Sequence, residues 1–482
     1  MTVINEPGRV EPGRIEPGRV EPGRVEPVRV EPVRIEDDRP RLAADVFTLP
    51  CGLEVVLHED HAVPLCAVWM GYRVGSGDEA DGDSGFAHLF EHMFKNSLHL
   101  AGRHHYELLR EVGATDANAQ TGSDRTVYHE VVPRPALDTA LWIESDRLGY
   151  FLPGLDQRRL DQQIAVVQAE RRQRYENAPY GPERFAVAAA LYPDGHPLRH
   201  LTIGRHEDIA AATLARVAAF YKTWYVPANA TLVLAGDLDG AEARAACAQW
   251  FGSFPASTRP PRRQDPAPAV RGPIRLVVDD PLAALDRVHR AWHGPPSPGD
   301  DDAALDVIAI ALSSPGTGRL WRRLVYERPL AQRVAAWVQP GRRGGEIHVT
   351  VDLRSGASAD EVTAILDDEL ALVRAGHGVD QAALERAVRR REAGLWWRLD
   401  GLGRRAALLC GSMLATGGPD GAADELTRYA RLDRGALTAA AVRWLDPAGE
   451  VEVRTWAGRV HGRSGGVAGG SGSLRSPAPA VP

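Results

Sequence analysis

An α+β fold, built twice over in one chain, is what this sequence predicts, and three observations lead there. Strand and helix patterns are interspersed without the regular alternation of a parallel sheet. The same strand–strand–helix opening occurs once in each half, and one proline-dense stretch lies between the two openings. At 482 residues the chain has length for two or three domains of ordinary size.

Residues 6–35 repeat with period five (EPGRV, EPGRI, EPVRV). A proline every fifth residue forbids a helix, and Glu and Arg cancel within each unit, so 1–40 reads as a disordered, extended arm. In residues 41–254, Leu53–Leu57 and Leu65–Val74 read as strands, and helical periodicity begins near Gly85. Further strands are expected at Thr126–Val132 and Ala230–Ala235, with helices at Pro135–Leu148, Asp156–Tyr175 and Asp208–Tyr221. Residues 255–273 carry six prolines and read as the interdomain linker. Residues 274–458 repeat the opening with strands at Ile274–Val278 and Val288–Trp292 and a helix at Asp301–Leu312. Strands at Glu346–Asp352 and Glu450–Thr455 and a helix at Ala359–Arg374 complete this half, and 459–482 reads as a disordered Gly/Ser/Pro tail.

Composition narrows the partners. With 57 basic and 64 acidic residues the net charge is −7, which argues against a nucleic-acid or anionic-membrane binder. No run of 18 apolar residues exists, so a transmembrane helix is not expected. The N-terminus has no apolar signal core, and Cys51, Cys66, Cys247 and Cys410 form no CxxC pair. The expectation is a reduced, cytoplasmic protein whose cysteines are small buried apolar residues.

The chemistry sits in GFAHLFEHMF, Gly85 to Phe94. On a helix, Phe86, Leu89, Phe90 and Met93 make one apolar stripe, while His88, Glu91, His92 and Lys95 make a second at i, i+3, i+4 and i+7. Two imidazoles one turn apart suit two ligands of a tetrahedral Zn²⁺, and Glu91 beside them can serve a water without ligating the metal. This is H-x-x-E-H, the inverse of the commoner zinc-peptidase order. A third ligand is available in LDQQIAVVQAERRQRYENAPYG, where Leu160, Ile164 and Val167 mark a buried stripe that Glu170 continues. An inward carboxylate is costly unless it is ion-paired or bound to metal, and with the histidine pair nearby the metal reading leads. Glu176 points to another side of that helix. Most of His99, His104, His105 and His129 are expected at the surface or in loops.

The H-x-x-E-H helix, separated by 77 residues from Glu170 in AERRQRYENAPYG, resembles the pitrilysin/insulinase (M16) family of inverted-motif zinc peptidases. The similarity is to its shorter bacterial, processing-peptidase-like members. It continues through SDRTVYHEVVP, ALWIESDRL, FYKTWYVPANATLVLAGDLD and GTGRLWRRLVYERPLAQRV, and covers about residues 41–458. The resemblance implies that His88, His92 and Glu170 bind one Zn²⁺ per chain and that Glu91 is the general base. It also implies two homologous α/β-roll domains, the first catalytic and the second not, forming half of a clamshell. Ala114–Thr126 matches the family's edge strand, to which a peptide substrate adds as an extra strand with Asn118 and Ala119 near the scissile bond. Gln163 stands where some members place a glutamate behind the ligands. The half absent from this chain usually supplies an Arg and a Tyr that grip substrate, so a separate M16-type subunit is expected as partner, with a homodimer as the alternative. The expected activity is a zinc metalloendopeptidase acting on small or unfolded peptides. A non-catalytic scaffold subunit and a dedicated maturation protease for a ribosomal peptide are the other readings.

Overall fold

The computed structural model describes residues 41–94, 103–261 and 272–458. The EPGRV arm, the C-terminal tail, most of the proline-dense stretch, Lys95 and His99 lie outside the described residues. The first sheet is formed by β1 (Asp45–Thr48), β2 (Glu54–Glu59), β3 (Leu65–Tyr72), β4 (Thr115–Thr121), β5 (Thr126–Pro133) and β6 (Ala230–Gly236), in the order β1-β2-β6-β3-β5-β4. The second is formed by β7 (Ile274–Asp280), β8 (Arg287–Gly294), β9 (Ala331–Gln339), β10 (Gly345–Leu353) and β11 (Val451–Ala457), in the order β7-β11-β8-β10-β9. Apart from β1, the two sheets match strand for strand. Each runs first, fifth, second, fourth, third within its half, and in each only the first and fifth strands pair in parallel. The duplicated α+β fold is therefore present in the topology as well as in the opening pattern.

Successive side chains of a strand point to opposite faces, so a strand apolar at every position needs cover on both sides. Here the two halves cover each other. In the first sheet Val55, Val68, Met70 and Leu232 face helices of their own half. Val56, Ala67, Trp69, Val233 and Ala235 face the helix Leu402–Thr416 of the other half, meeting Ala406, Leu409, Cys410 and Met413. Reciprocally, the helix Gly181–Leu191 of the first half lays Val187 and Leu191 on Ala291, Val451 and Val453 of the second sheet. This exchange joins the chain from residue 40 onward into one compact unit.

Most expected elements are found within a residue or two of their expected bounds, and two differ for local reasons. The expected helix Asp208–Tyr221 is two helices, His206–Ala210 and Leu214–Trp224. Thr213 begins the second, its hydroxyl accepting the Arg216 N–H at 3.3 Å. The helix begun by the Asp156 cap ends its α-turns at Arg171 and continues as a wider π turn, Arg172–Glu176. All four cysteines are buried and free.

Because Leu409 is fully buried against a sheet of the opposite half, Leu409→Ala should destabilise the whole unit by about 2–5 kcal/mol. The measurement is urea unfolding followed by tryptophan fluorescence, with a lower midpoint and an unchanged slope.

Candidate metal centre

Helix α1 (Phe86–Met93) sorts its side chains as the sequence pattern requires. Phe86, Leu89, Phe90 and Met93 are buried in the core of the first half, with Phe90 stacked on Phe220 at 5.4 Å and on Tyr225 at 4.9 Å. The opposite stripe carries His88, Glu91 and His92. Eight residues are too few for a helix to persist alone in water, and both ends are held from outside. Gly85 precedes the helix with φ 92°, and a Cβ there would stand 2.6 Å from Ile209 Cδ1 and 2.9 Å from the Gly204 Cα. Glycine is required at that position and supplies no capping side chain. The buried Glu79 carboxylate, from the loop after β3, does the capping, accepting the Gly85 and Ala87 N–H groups at 2.8 Å each. At the other end, the Phe94 carbonyl meets His105 Nδ1 at 2.8 Å and Arg147 Nε at 3.4 Å.

That contact corrects the expectation for two histidines. His105 is 1% exposed, and His129 is buried on the back of the first sheet with its ring stacked on Trp69 at 4.5 Å. His104 and His105 are adjacent at a helix start, where neighbours face different sides. Only His104 stays half-buried, its Nδ1 accepting the Tyr106 N–H at 3.2 Å. Sequence adjacency was no guide to burial.

Three donors converge across the gap between α1 and the helix Gln157–Arg171. His92 Nε2 lies 3.0 Å and His88 Nε2 3.7 Å from Glu170 Oε2, and the two imidazole rings are 4.7 Å apart by centroid. Ligand atoms about 2.0–2.1 Å from a tetrahedral Zn²⁺ stand about 3.3 Å apart, so the two measured separations bracket the value zinc requires. Two imidazole nitrogens and one carboxylate oxygen are also the donor set that zinc takes at catalytic sites. The residues fit the ion.

The other oxygen of Glu170, Oε1, is taken by Arg174 at 2.9 Å, which leaves Oε2 for the site. The hydrogen bond with His92, aided by the nearby charges of His88, His92 and Arg174 and opposed by burial, holds the Glu170 carboxyl down at about 2. It is therefore ionised, as a ligand must be. Glu176 is directed away, to Arg171 and His206 at 2.8 Å each.

Glu91 is handled differently. Its carboxylate lies within 4.8 Å of both histidines, yet Oε2 is fastened by the Thr121 hydroxyl at 2.6 Å. Thr121 was not singled out from sequence. The available signal was strand alternation, since Ala119 and Thr121 share the β4 face that looks onto α1. Asn118 and Ala119 lie on β4 as expected, at the free edge of the sheet, Asn118 exposed and paired with His129, Ala119 buried and paired with Tyr128. A register shift between Thr115 and Asn118, with Asp116 at φ 52°, kinks the strand just before them. Gln163 is half-buried two turns before Glu170 on the same face of its helix, about 10 Å along the axis.

A two-histidine, one-glutamate centre beside an edge strand, on a duplicated α+β roll, defines an inverted-motif metallopeptidase architecture. Residues 54–192 match the family description "Insulinase (Peptidase family M16)", and residues 211–391 match "Peptidase M16 inactive domain". The chain belongs to the M16 family. A Helicobacter pylori protein named "Zinc protease PqqE" is 28% identical over 295 residues, which span 59% of this chain and 64% of that protein. Among solved structures, a Helicobacter pylori protease superposes with a TM-score of 0.78 at 23% identity, covering 86% of this chain and all of the other. The periplasmic protease PqqL of Escherichia coli superposes with a TM-score of 0.71 at 18% identity. That match takes in 87% of this chain but 48% of PqqL, so this chain has the fold of one half of a clamshell.

Two variants separate the roles at the centre. Wild type should carry about one zinc ion per chain and Glu170→Ala little, as read by elemental analysis after dialysis against buffered zinc. Thr121→Val should keep its zinc and lose about tenfold or more in kcat, the worth of one hydrogen bond to a charged group.

Proposed function

We propose that this protein is a zinc-dependent endopeptidase that hydrolyses small or unfolded peptides. One observation carries the reading: His88, His92 and Glu170 converge on a single point, with a second carboxylate, Glu91, beside it and fastened to the edge strand. A scaffold subunit has no use for that arrangement.

Zinc, when bound, supplies a Lewis acid that polarises the scissile carbonyl and makes water more acidic. The chain's own residues do the rest. The free edge of β4 takes the peptide backbone as an added strand, so that main-chain hydrogen bonds give affinity with little demand on sequence. Glu91 holds its carboxylate in place through Oε2 and leaves Oε1 to take the proton of the attacking water. The same oxygen then returns that proton to the leaving amine. Thr121 restricts Glu91 to the orientation this transfer needs. The resemblance to clamshell peptidases, and the match to about half of PqqL, support a working particle in which a second M16-type subunit or a second copy of this chain closes over the site.

Glu91→Gln removes the proton acceptor and keeps the shape of the side chain. It should retain zinc and lose about 10²–10⁴-fold in turnover of a quenched fluorescent peptide. Turnover comparable to wild type would overturn the role given to Glu91.

A further inference from the structure

A cavity of about 900 Å³ opens one residue past Thr121, between the two halves. Its walls are two corresponding hairpin turns, Gly122–Arg125 between β4 and β5 and Pro340–Arg342 between β9 and β10. The turns hold each other in place. Asp124 Oδ2 accepts the Arg342 N–H at 2.8 Å, Arg343 pairs with Asp78, and the Ser123 carbonyl accepts the Gly77 N–H at 2.8 Å.

Six arginines face the cavity against five carboxylates, and most of the carboxylates are committed. Asp306 is paired with Arg391, and Glu425 with Arg398 at 2.6 Å. Asp124 accepts the Arg342 N–H, and Asp302 accepts the Gly299 N–H at 3.1 Å. The fifth, Asp424, is exposed. Arg404 is spent on the Trp397 carbonyl and ring. Arg428 lies close enough to Asp302 for its charge to favour that carboxylate, and Arg125 and Arg342 reach the cavity with no ion pair among the described residues. One terminal nitrogen of Arg342, Nη2, is buried and has no hydrogen-bond acceptor among the described residues. A buried guanidinium nitrogen left in that state is costly, and an anionic acceptor relieves the cost.

A peptide added to the edge of β4 near Asn118 reaches Gly122 after about four residues, or about 13 Å. We infer that this cavity is a subsite for a carboxylate carried by the bound peptide about four residues from the scissile bond, received by Arg342 and Arg125. The carboxylate is either an acidic side chain or the free C-terminus. This rests on the peptidase reading and narrows its substrate class to peptides with a negative group at that distance.

The test uses the zinc-loaded full chain carrying Glu91→Gln, so that peptide is bound and not consumed. Three fluorescent peptides of one sequence are compared by anisotropy: neutral with an amidated end, glutamate-bearing with an amidated end, and neutral with a free C-terminal carboxylate. One of the two acidic peptides should bind about tenfold tighter than the neutral one, the effect of one charge-assisted hydrogen bond, and which one does so identifies the source of the carboxylate. Arg342→Gln, which keeps the backbone donor to Asp124, should abolish that preference. Arg125→Gln, at an exposed position, should reduce it and stands in should Arg342→Gln fail to fold. Binding of all three peptides within about twofold of one another, or a preference that survives both substitutions, would overturn the subsite. Cleavage of the same peptides by the wild-type chain keeps the two readings apart. Preference without cleavage counts against the peptidase, and cleavage without preference counts against the subsite.

Discussion

The metal centre depends on a helix that cannot stand by itself. Two turns of α-helix carry His88, Glu91 and His92, and a segment that short does not persist without support. The structure answers with hydrogen-bond acceptors at one end and donors at the other, Glu79 at the N-terminal N–H groups and Arg147 with His105 at the Phe94 carbonyl; burial pushes the Glu79 carboxyl up and the His105 imidazole down, so Arg147 is the member that keeps its charge. This is the polarity that the helix dipole favours. Arg147 is itself deeply buried, paired with Glu144 and lying 4.1 Å over the Tyr128 ring. Burial pushes the carboxyls of both Glu144 and nearby Glu130 up, so the polar set under α1 does not hold two full negative charges against one guanidinium. The aromatic stripe of Phe86 and Phe90 fixes the rotation of α1, and the hydrogen bonds at its two ends fix its position along the axis.

The third ligand depends on the other half of the molecule. The helix bearing Glu170 opens into a π turn, and the chain then enters the helix Gly181–Leu191, which packs on the second sheet. That docking is polar as well as apolar. Glu183 meets His289 at 2.8 Å and the Thr455 hydroxyl at 2.6 Å, and Asp280 accepts the Tyr180 N–H at 2.6 Å. The helix bearing Glu170 packs on α1 within its own half, and the segment that follows it is anchored on the other half. A half without a motif of its own is, on this view, part of the metal site's support.

Motif and fold class were legible because they are short-range or periodic. The spacing of His88, Glu91 and His92 puts them on one helix face whatever surrounds the helix, and the inward side of the Glu170 helix follows from Leu160 and Val167. Their roles were less legible. Thr121 fastens Glu91 from a strand 30 residues away, and Glu79 caps α1 from a loop with no sequence signature of a cap. His105 and His129 were misjudged because burial is settled by what packs above a residue, and a sequence does not show that.

By itself, the sequence determined the duplicated α+β plan, the two histidines and the glutamate of the motif, and the direction in which Glu170 points. Each of these follows from backbone periodicity and the hydrophobic effect acting over a few turns. Only the tertiary structure decided that the halves exchange helices, that α1 is clamped between Glu79 and Arg147, and that Arg125 and Arg342 meet across one cavity. Those are contacts between segments as many as 345 residues apart, as in the Arg405–Asp60 ion pair. Two chain segments that distant become neighbours through the packing of whole sheets and helices, and no local pattern carries that information.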